Sequence, residues 1–274
     1  MVVIIPIKHK KMDLNIKGNS AIITASSSGL GRAAAAALVK EGVNVIINGR
    51  NEEKLKITAD ELRELGNAKV TSVPGDISKK EDIKKLVAAA VNEYGRLDHI
   101  VTSAGGPPSA PFIESSEDDW YYAYDLLVMS VVRIVKESLE YLKADGGGTI
   151  VNITSISVKE AINNLVLSNS VRMSVIGLMK TLSKELGPEI RANAVLPGYH
   201  ETDRVKELLN DQVKRGDLNS YQEGLDNLSE NIPLNKIGSP EELGSFIAFL
   251  SSPISSYING VSYVVDGGGS SSNL

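Results

Sequence analysis

The chain has 274 residues, 42% hydrophobic and 23% charged, with a formal net charge of −5. That is room for one large α/β domain or two small ones, and the acidic balance excludes a general nucleic-acid binder. With no cysteine, disulfides and thiolate chemistry are excluded; with three histidines without paired spacing (His9, His99, His200), a histidine-based metal centre is not expected, and no apolar run approaches the ~20 residues of a membrane-spanning helix.

Residues 2–7 are apolar and a basic cluster, Lys8 to Lys11, follows them, the reverse of the order in a signal peptide. Residues 1–12 are expected to be a disordered or partly tethered tail, with Met12 an alternative start. The protein is expected to be cytoplasmic, with no membrane and no nucleic-acid partner.

Residues 21–23 are an apolar run that fits a buried parallel strand. Small residues follow at 24–31, then an alanine-rich helix to Lys40. Strand, tight turn and helix N-terminus make an anion site, because free backbone N–H groups and the positive end of the helix dipole face the turn. Gly29 would let the backbone approach a pyrophosphate, and Gly31 would let the helix pack near the strand. Ala25 stands where the dinucleotide fingerprint has its first glycine, so the turn alone is a weak signal.

Further strands are expected at 43–47, 70–73, 97–102, 149–153, 191–196 and 261–265. Helices are expected at 52–65, 79–94, 116–143, 164–186 and 241–250. Ser116 is the expected cap before three acidic residues, Glu117 to Asp119. A loop with Pro107, Pro108 and Pro111 follows the fourth strand, and residues 201–235 form a polar, helix-rich excursion. This alternation predicts an α/β fold: a single doubly wound, Rossmann-like domain over 13–274, its seven-stranded parallel sheet covered by helices on both faces. No repeat or composition break divides it.

Several ordered landmarks now stand together. They are Thr-Ala-Ser-Ser-Ser-Gly-Leu-Gly at 24–31, Gly75-Asp76, Ala104-Gly105, Ile-Val-Asn-Ile-Thr-Ser at 150–155, Arg-Ala-Asn-Ala-Val-Leu-Pro-Gly at 191–198, Pro-Glu-Glu at 240–242, Ile-Asn-Gly at 258–260 and Asp-Gly-Gly at 266–268. On these, the chain from about residue 14 to 269 resembles the short-chain dehydrogenase/reductase family, and within it the 3-oxoacyl-[acyl-carrier-protein] reductase-like branch. The resemblance implies a nicotinamide cofactor, a small-molecule carbonyl or alcohol substrate, and a homotetramer or homodimer.

The resemblance also carries over cofactor contacts at Ser26, Ser28, Gly29, Leu30, Gly31, Asp76, Ile77, Ala104, Gly105, Pro197, Gly198 and Thr202. Asp76 would accept from the adenine amino group, or is simply a turn residue after Gly75. At the end of the second strand an acidic residue would hold the ribose 2′-hydroxyl of NAD; here Gly49 stands there and Arg50 follows. Arginine pairs with phosphate, so NADP is the expected cofactor with NAD the alternative, unless Arg50 is only a solvated charge.

The family's catalytic set is Asn-Ser-Tyr-Lys. Ser155 matches the serine, but the tyrosine position is Ser168, the lysine position is Arg172, and the asparagine position falls on Leu127. The asparagine of the usual Asn-Ala-Gly is Ser103. Ser155 would steady the substrate oxygen and Arg172 would hold the nicotinamide ribose; each, like Ser168, has an ordinary structural reading as well. Tyr199 and His200 are candidate substitute acids, and Lys159 a weaker one. The excursion, 199–237, corresponds to the family's substrate loop and suits a lid of two short helices. The expected activity is NAD(P)-dependent hydride transfer between a carbonyl and an alcohol, and the alternative is a non-catalytic dinucleotide-binding sensor or inactive scaffold partner.

Overall fold

In the computed structural model, described for residues 12–273, each expected strand and helix is present. Of the tail expected at 1–12, all but Met12 lies outside the described residues. In chain order the elements are β1 (Ser20–Ile23), α1 (Gly29–Lys40), β2 (Asn44–Gly49), α2 (Glu52–Arg63), β3 (Val70–Pro74), α3 (Lys80–Tyr94) and β4 (His99–Thr102). Then come α4 (Glu117–Tyr124), α5 (Ser130–Lys143), β5 (Gly148–Ile153), α6 (Val166–Glu185) and β6 (Ile190–Pro197). The chain closes with α7 (Asp203–Arg215), α8 (Tyr221–Glu230), α9 (Pro240–Leu250) and β7 (Ser262–Val265).

The seven strands form one parallel sheet in the order β3-β2-β1-β4-β5-β6-β7. Ile22 of β1 sits opposite Ile46 of β2 on one side and Ile100 of β4 on the other. All three are fully buried, as a sheet covered on both faces requires. One core lies under α3, α5 and α6 and centres on Ile83, Leu86, Ile134 and Leu167. The other lies under α1, α2 and α9 and centres on Leu38, Leu55, Leu62 and Ile247. Each fully buried side chain of this kind contributes about 1.5–3 kcal/mol.

The alanine run of α1 is a consequence of close packing. A Cβ on Gly244 of α9 would lie 2.4 Å from the Ala33 carbonyl oxygen, so only small side chains fit between the two helices. Strand order reverses between β1 and β4, which opens a crevice at the C-terminal ends of the strands.

The helix expected over 116–143 is two helices joined by a π-helical turn, Asp125–Met129. Leu126, Leu127 and Val128 are buried there, and the Ser130 hydroxyl donates to the Leu126 carbonyl, which widens the turn. Ser116 caps α4 as expected, in a capping box with Asp119. The helix expected from 164 begins at Val166, because Asn164 has φ +60°. The excursion folds as α7 and α8, with Gly216 (φ +80°) ending the first. Among the described residues no helix is long and apolar enough to cross a membrane.

Candidate active site

The crevice begins at the N-terminus of α1. Its cap residue Ser28 makes no side-chain cap bond, and no acidic residue stands in its first turn. By contrast α2, α4, α7, α8 and α9 each start on a capping side chain and carry acid in the first turn. The first-turn N–H groups of α1 are thus left for an anion. Gly29 takes φ +55°, and a Cβ on Gly31 would lie 2.6 Å from the Ala25 carbonyl oxygen. The bare glycine therefore brings the turn and helix together, and the cradle fits the diphosphate of a dinucleotide. Ala25 itself has φ +46°, the left-handed backbone that its fingerprint position favours filling with glycine.

A cavity of about 410 Å³ runs from this cradle across the sheet ends. Near the α1 cradle it is lined by Ser28, Gly29, Leu30, Gly31, Arg50, Asp76, Ile77, Ala104 and Gly105. Ser155, Ser168, Arg172, Pro197, Gly198 and Thr202 line it too, so the cavity brings these sequence candidates together.

Ser26 is a correction. It is fully buried, its hydroxyl donates to the Ile23 carbonyl, and that oxygen accepts from the Asn48 N–H. Ser27 lines the cavity in its place. A Cβ on Gly49 would lie 2.9 Å from the Ser27 hydroxyl oxygen, so Ser27 fills the room that an acidic side chain would need. Arg50 is exposed beside it. One Asp76 oxygen accepts from the N–H and hydroxyl of Ser78, so the turn role is real, and the residue still faces the cavity.

At the catalytic end β5 delivers Ser155 and α6 delivers Ser168 and Arg172 one turn apart, on the same helix face. The Ser155 hydroxyl accepts from the Ser157 N–H at 3.1 Å. Ser168 shares a hydrogen bond with the Ser157 hydroxyl at 3.1 Å and accepts from Arg172 Nε at 3.1 Å. Arg172 also donates to the Thr154 carbonyl at 3.3 Å. Burial pushes the Arg172 guanidinium down to about 10, and the neighbouring Arg204 guanidinium adds to the shift.

Of the candidate substitute acids, Tyr199 and His200 both line the cavity. His200 is buried, its Nδ1 is 3.1 Å from the Gly198 carbonyl oxygen and its ring lies against Gly238, so that a Cβ there would meet Nε2 at 2.9 Å. Burial holds its ionisation below the ordinary histidine range. Tyr199 is half-buried on the cavity wall, with its phenol raised by desolvation. Lys159 does not line the cavity, and Leu127 is buried in the core within the π turn. Thr202 turns its hydroxyl toward the Val205 N–H as the cap of α7, and its methyl faces Gly29.

Lining residues to which the sequence reading gave no role in the site include Ser27, Tyr122 and Arg204. Arg204 lies in the polar excursion, where residue type alone does not set it apart from the neighbouring charges. Its side chain reaches from α7 to the loop after β4, donating to the Ser109 hydroxyl at 2.7 Å and the Pro107 carbonyl at 3.4 Å.

Comparison with known proteins follows the same outline. The family model described as enoyl-(acyl carrier protein) reductase matches residues 24–270. The uncharacterized oxidoreductase YvaG of Bacillus subtilis is 30% identical, over 94% of this chain and 98% of its own. The 3-oxoacyl-[acyl-carrier-protein] reductase FabG of Chlamydia muridarum is 32% identical, over 94% and 99%. Among solved structures, L-sorbose reductase from Gluconobacter frateurii complexed with NADPH and L-sorbose superposes with a TM-score of 0.89 at 30% identity, covering 94% of this chain and 98% of that one. A sheet reversing beside an uncapped, glycine-bound helix end, and relatives that agree with it over almost the whole chain, make this protein a member of the short-chain dehydrogenase/reductase family.

Proposed function

We propose that the protein interconverts a small-molecule carbonyl and its alcohol with NADP preferred over NAD, in the manner of its 3-oxoacyl reductase-like relatives. Family membership makes it an NAD(P)-dependent oxidoreductase. The observation that carries the preference is the end of β2, where Ser27 occupies the space an acid would need and Arg50 stands free at the rim. A guanidinium there matches a 2′-phosphate in charge and in its planar fork.

A nicotinamide dinucleotide in this cavity supplies or takes up the hydride. Ser155 accepts from Ser157, which leaves its own proton free to donate to the substrate oxygen. Arg172, which lines the cavity, would hold the ribose hydroxyls, and its charge would favour negative charge growing on that oxygen. Ser168 cannot replace a phenol as proton donor, because an alkyl hydroxyl is a far weaker acid. The phenols at that end belong to Tyr122 and Tyr199. As in the family, the assembly would be a homotetramer or homodimer in the cytoplasm.

Titration with NADPH and NADH tests the cofactor reading. The wild type should favour NADPH by about 10- to 100-fold, and Arg50→Asp should remove that preference. An unchanged preference in the variant would sink the assignment. A ketone panel then tests turnover; cofactor binding with no turnover fits the sensor or inactive-partner alternative, which the serine at 168 favours.

A further inference from the structure

The protein carries net negative charge, yet the substrate end of its cavity is positive. Arg172 is only 8% exposed and has no carboxylate partner among the described residues. Its Nε and one terminal nitrogen are used by Ser168 and the Thr154 carbonyl, and the second terminal nitrogen takes no partner among the described residues. Arg204 lines the same end and lies close enough to repel it. The carboxylates that line the cavity are engaged elsewhere: Asp76 in its own turn at the cofactor end, and Asp203 with Lys54 at 3.1 Å. Glu207 is the one carboxylate that pairs with Arg204 among the described residues, at 3.4 Å in an ion pair whose carboxylate side chain is 64% exposed, which makes the pair weak and exchangeable.

A buried guanidinium without a counterion is costly, and a second one nearby adds to the cost. A neutral ketone relieves neither charge. Arg204 is placed by Gly106, where a Cβ would lie 2.9 Å from its Nε; one terminal nitrogen ties α7 to the loop after β4, and the other meets only the exposed Glu207. The cofactor diphosphate belongs at the α1 cradle, away from this pair.

We infer that the substrate is an anionic carbonyl compound, a small oxo acid whose carboxylate is received by Arg204 with Arg172 completing the positive field. This rests on the reductase reading of the same cavity, and it names the substrate class within it. A carboxylate meeting this pair of planar guanidinium groups gains both charge and geometry, whereas the corresponding ester brings no charge to the buried Arg172.

The test compares acetoacetate with methyl acetoacetate by calorimetry, on the protein saturated with NADPH and on the protein alone. The acid should bind about 10- to 100-fold more tightly than the ester. Arg204→Gln should collapse that ratio toward unity, and Arg204→Lys, which keeps the charge without the fork, should retain part of it. Equal affinities for acid and ester, or an acid preference unaltered in Arg204→Gln, would overturn the inference. Failure of NADPH to bind would count against the reductase reading alone, since the acid–ester ratio on the protein without cofactor still decides this one.

Discussion

The two ends of the cavity are built from different material. The cofactor end is made of backbone: an uncapped helix N-terminus, Gly29 in the left-handed region, and Gly31 pressed against the Ala25 carbonyl. The catalytic end is made of single side-chain atoms: the hydroxyls of Ser155 and Ser168 and the guanidinium of Arg172. Backbone tolerates a change of side chain, so Ala25 keeps the shape that a glycine would have. A proton donor does not tolerate it, because replacing a phenol by an alkyl hydroxyl changes the acidity itself. If the proposed roles hold, one fold combines a backbone-made geometry at one end with a side-chain chemistry at the other.

The strongest way to break this contrast is to restore the family side chains. Ser168→Tyr with Arg172→Lys would put a phenol and an ammonium one turn apart on α6, facing the cavity. Turnover of a neutral ketone with NADPH should rise by about 10²–10⁴-fold, the usual worth of a positioned acid. Unchanged cofactor affinity beside that rise would show the two ends to be independent. No rise at all would mean that the catalytic end runs a chemistry of its own.

The histidines sharpen the contrast by separating stability from site chemistry. His99 opens β4 at the far end of the sheet, with Nδ1 at 2.9 Å from the Thr149 hydroxyl and Nε2 at 2.9 Å from the Asn19 amide. Burial pushes it down to about 4, against an ordinary value near 6.5. The unfolded chain therefore takes up the proton first as pH falls. Stability from the neutral ring is complete above about 6.5 and is lost between 6.5 and 4, by on the order of 3 kcal/mol. Urea unfolding at pH 7 and pH 4 should show this loss in the wild type, and His99→Gln should lack that part of it. His200 is held low too, so the activity profile should show no histidine step near pH 6.5. Such a step, lost in His200→Ala, would return His200 to the chemistry.

The alternation of strands and helices was legible because both faces of the sheet are buried, which turns strands into apolar runs such as Val45–Ile46–Ile47. A helix start was legible where a side chain makes the cap, as at Ser116. The π turn was not, since it depends on where Leu126 to Val128 meet the core. Nor could three consecutive serines be told apart: Ser26 is turned inward by its bond to Asn48, a strand away, leaving Ser27 and Ser28 to the cavity. His200 was a fair candidate by residue type, but its ring direction is fixed by Gly238. Arg204 is decided by the loop at Gly106, nearly a hundred residues earlier in the chain. Contacts distant in sequence set each of these, and residue order alone does not carry them.

The smallest effect is expected at Ala25, where it tests the claim that the cofactor end is backbone. The left-handed conformation at φ +46° costs a non-glycine residue about 1–2 kcal/mol. Glycine removes that strain but adds freedom to the unfolded chain worth roughly 0.5–1 kcal/mol. Ala25→Gly should therefore raise stability by no more than about 1 kcal/mol in urea unfolding. Because the turn already has the required shape, NADPH affinity should move by less than about 3-fold, within the few tenths of a kcal/mol expected of an uncoupled site. A gain of tenfold or more would mean that the Ala25 methyl group, which lines the cavity, obstructs the diphosphate. The cofactor end would then have drifted by side chain just as the catalytic end has, and the two would no longer differ in kind.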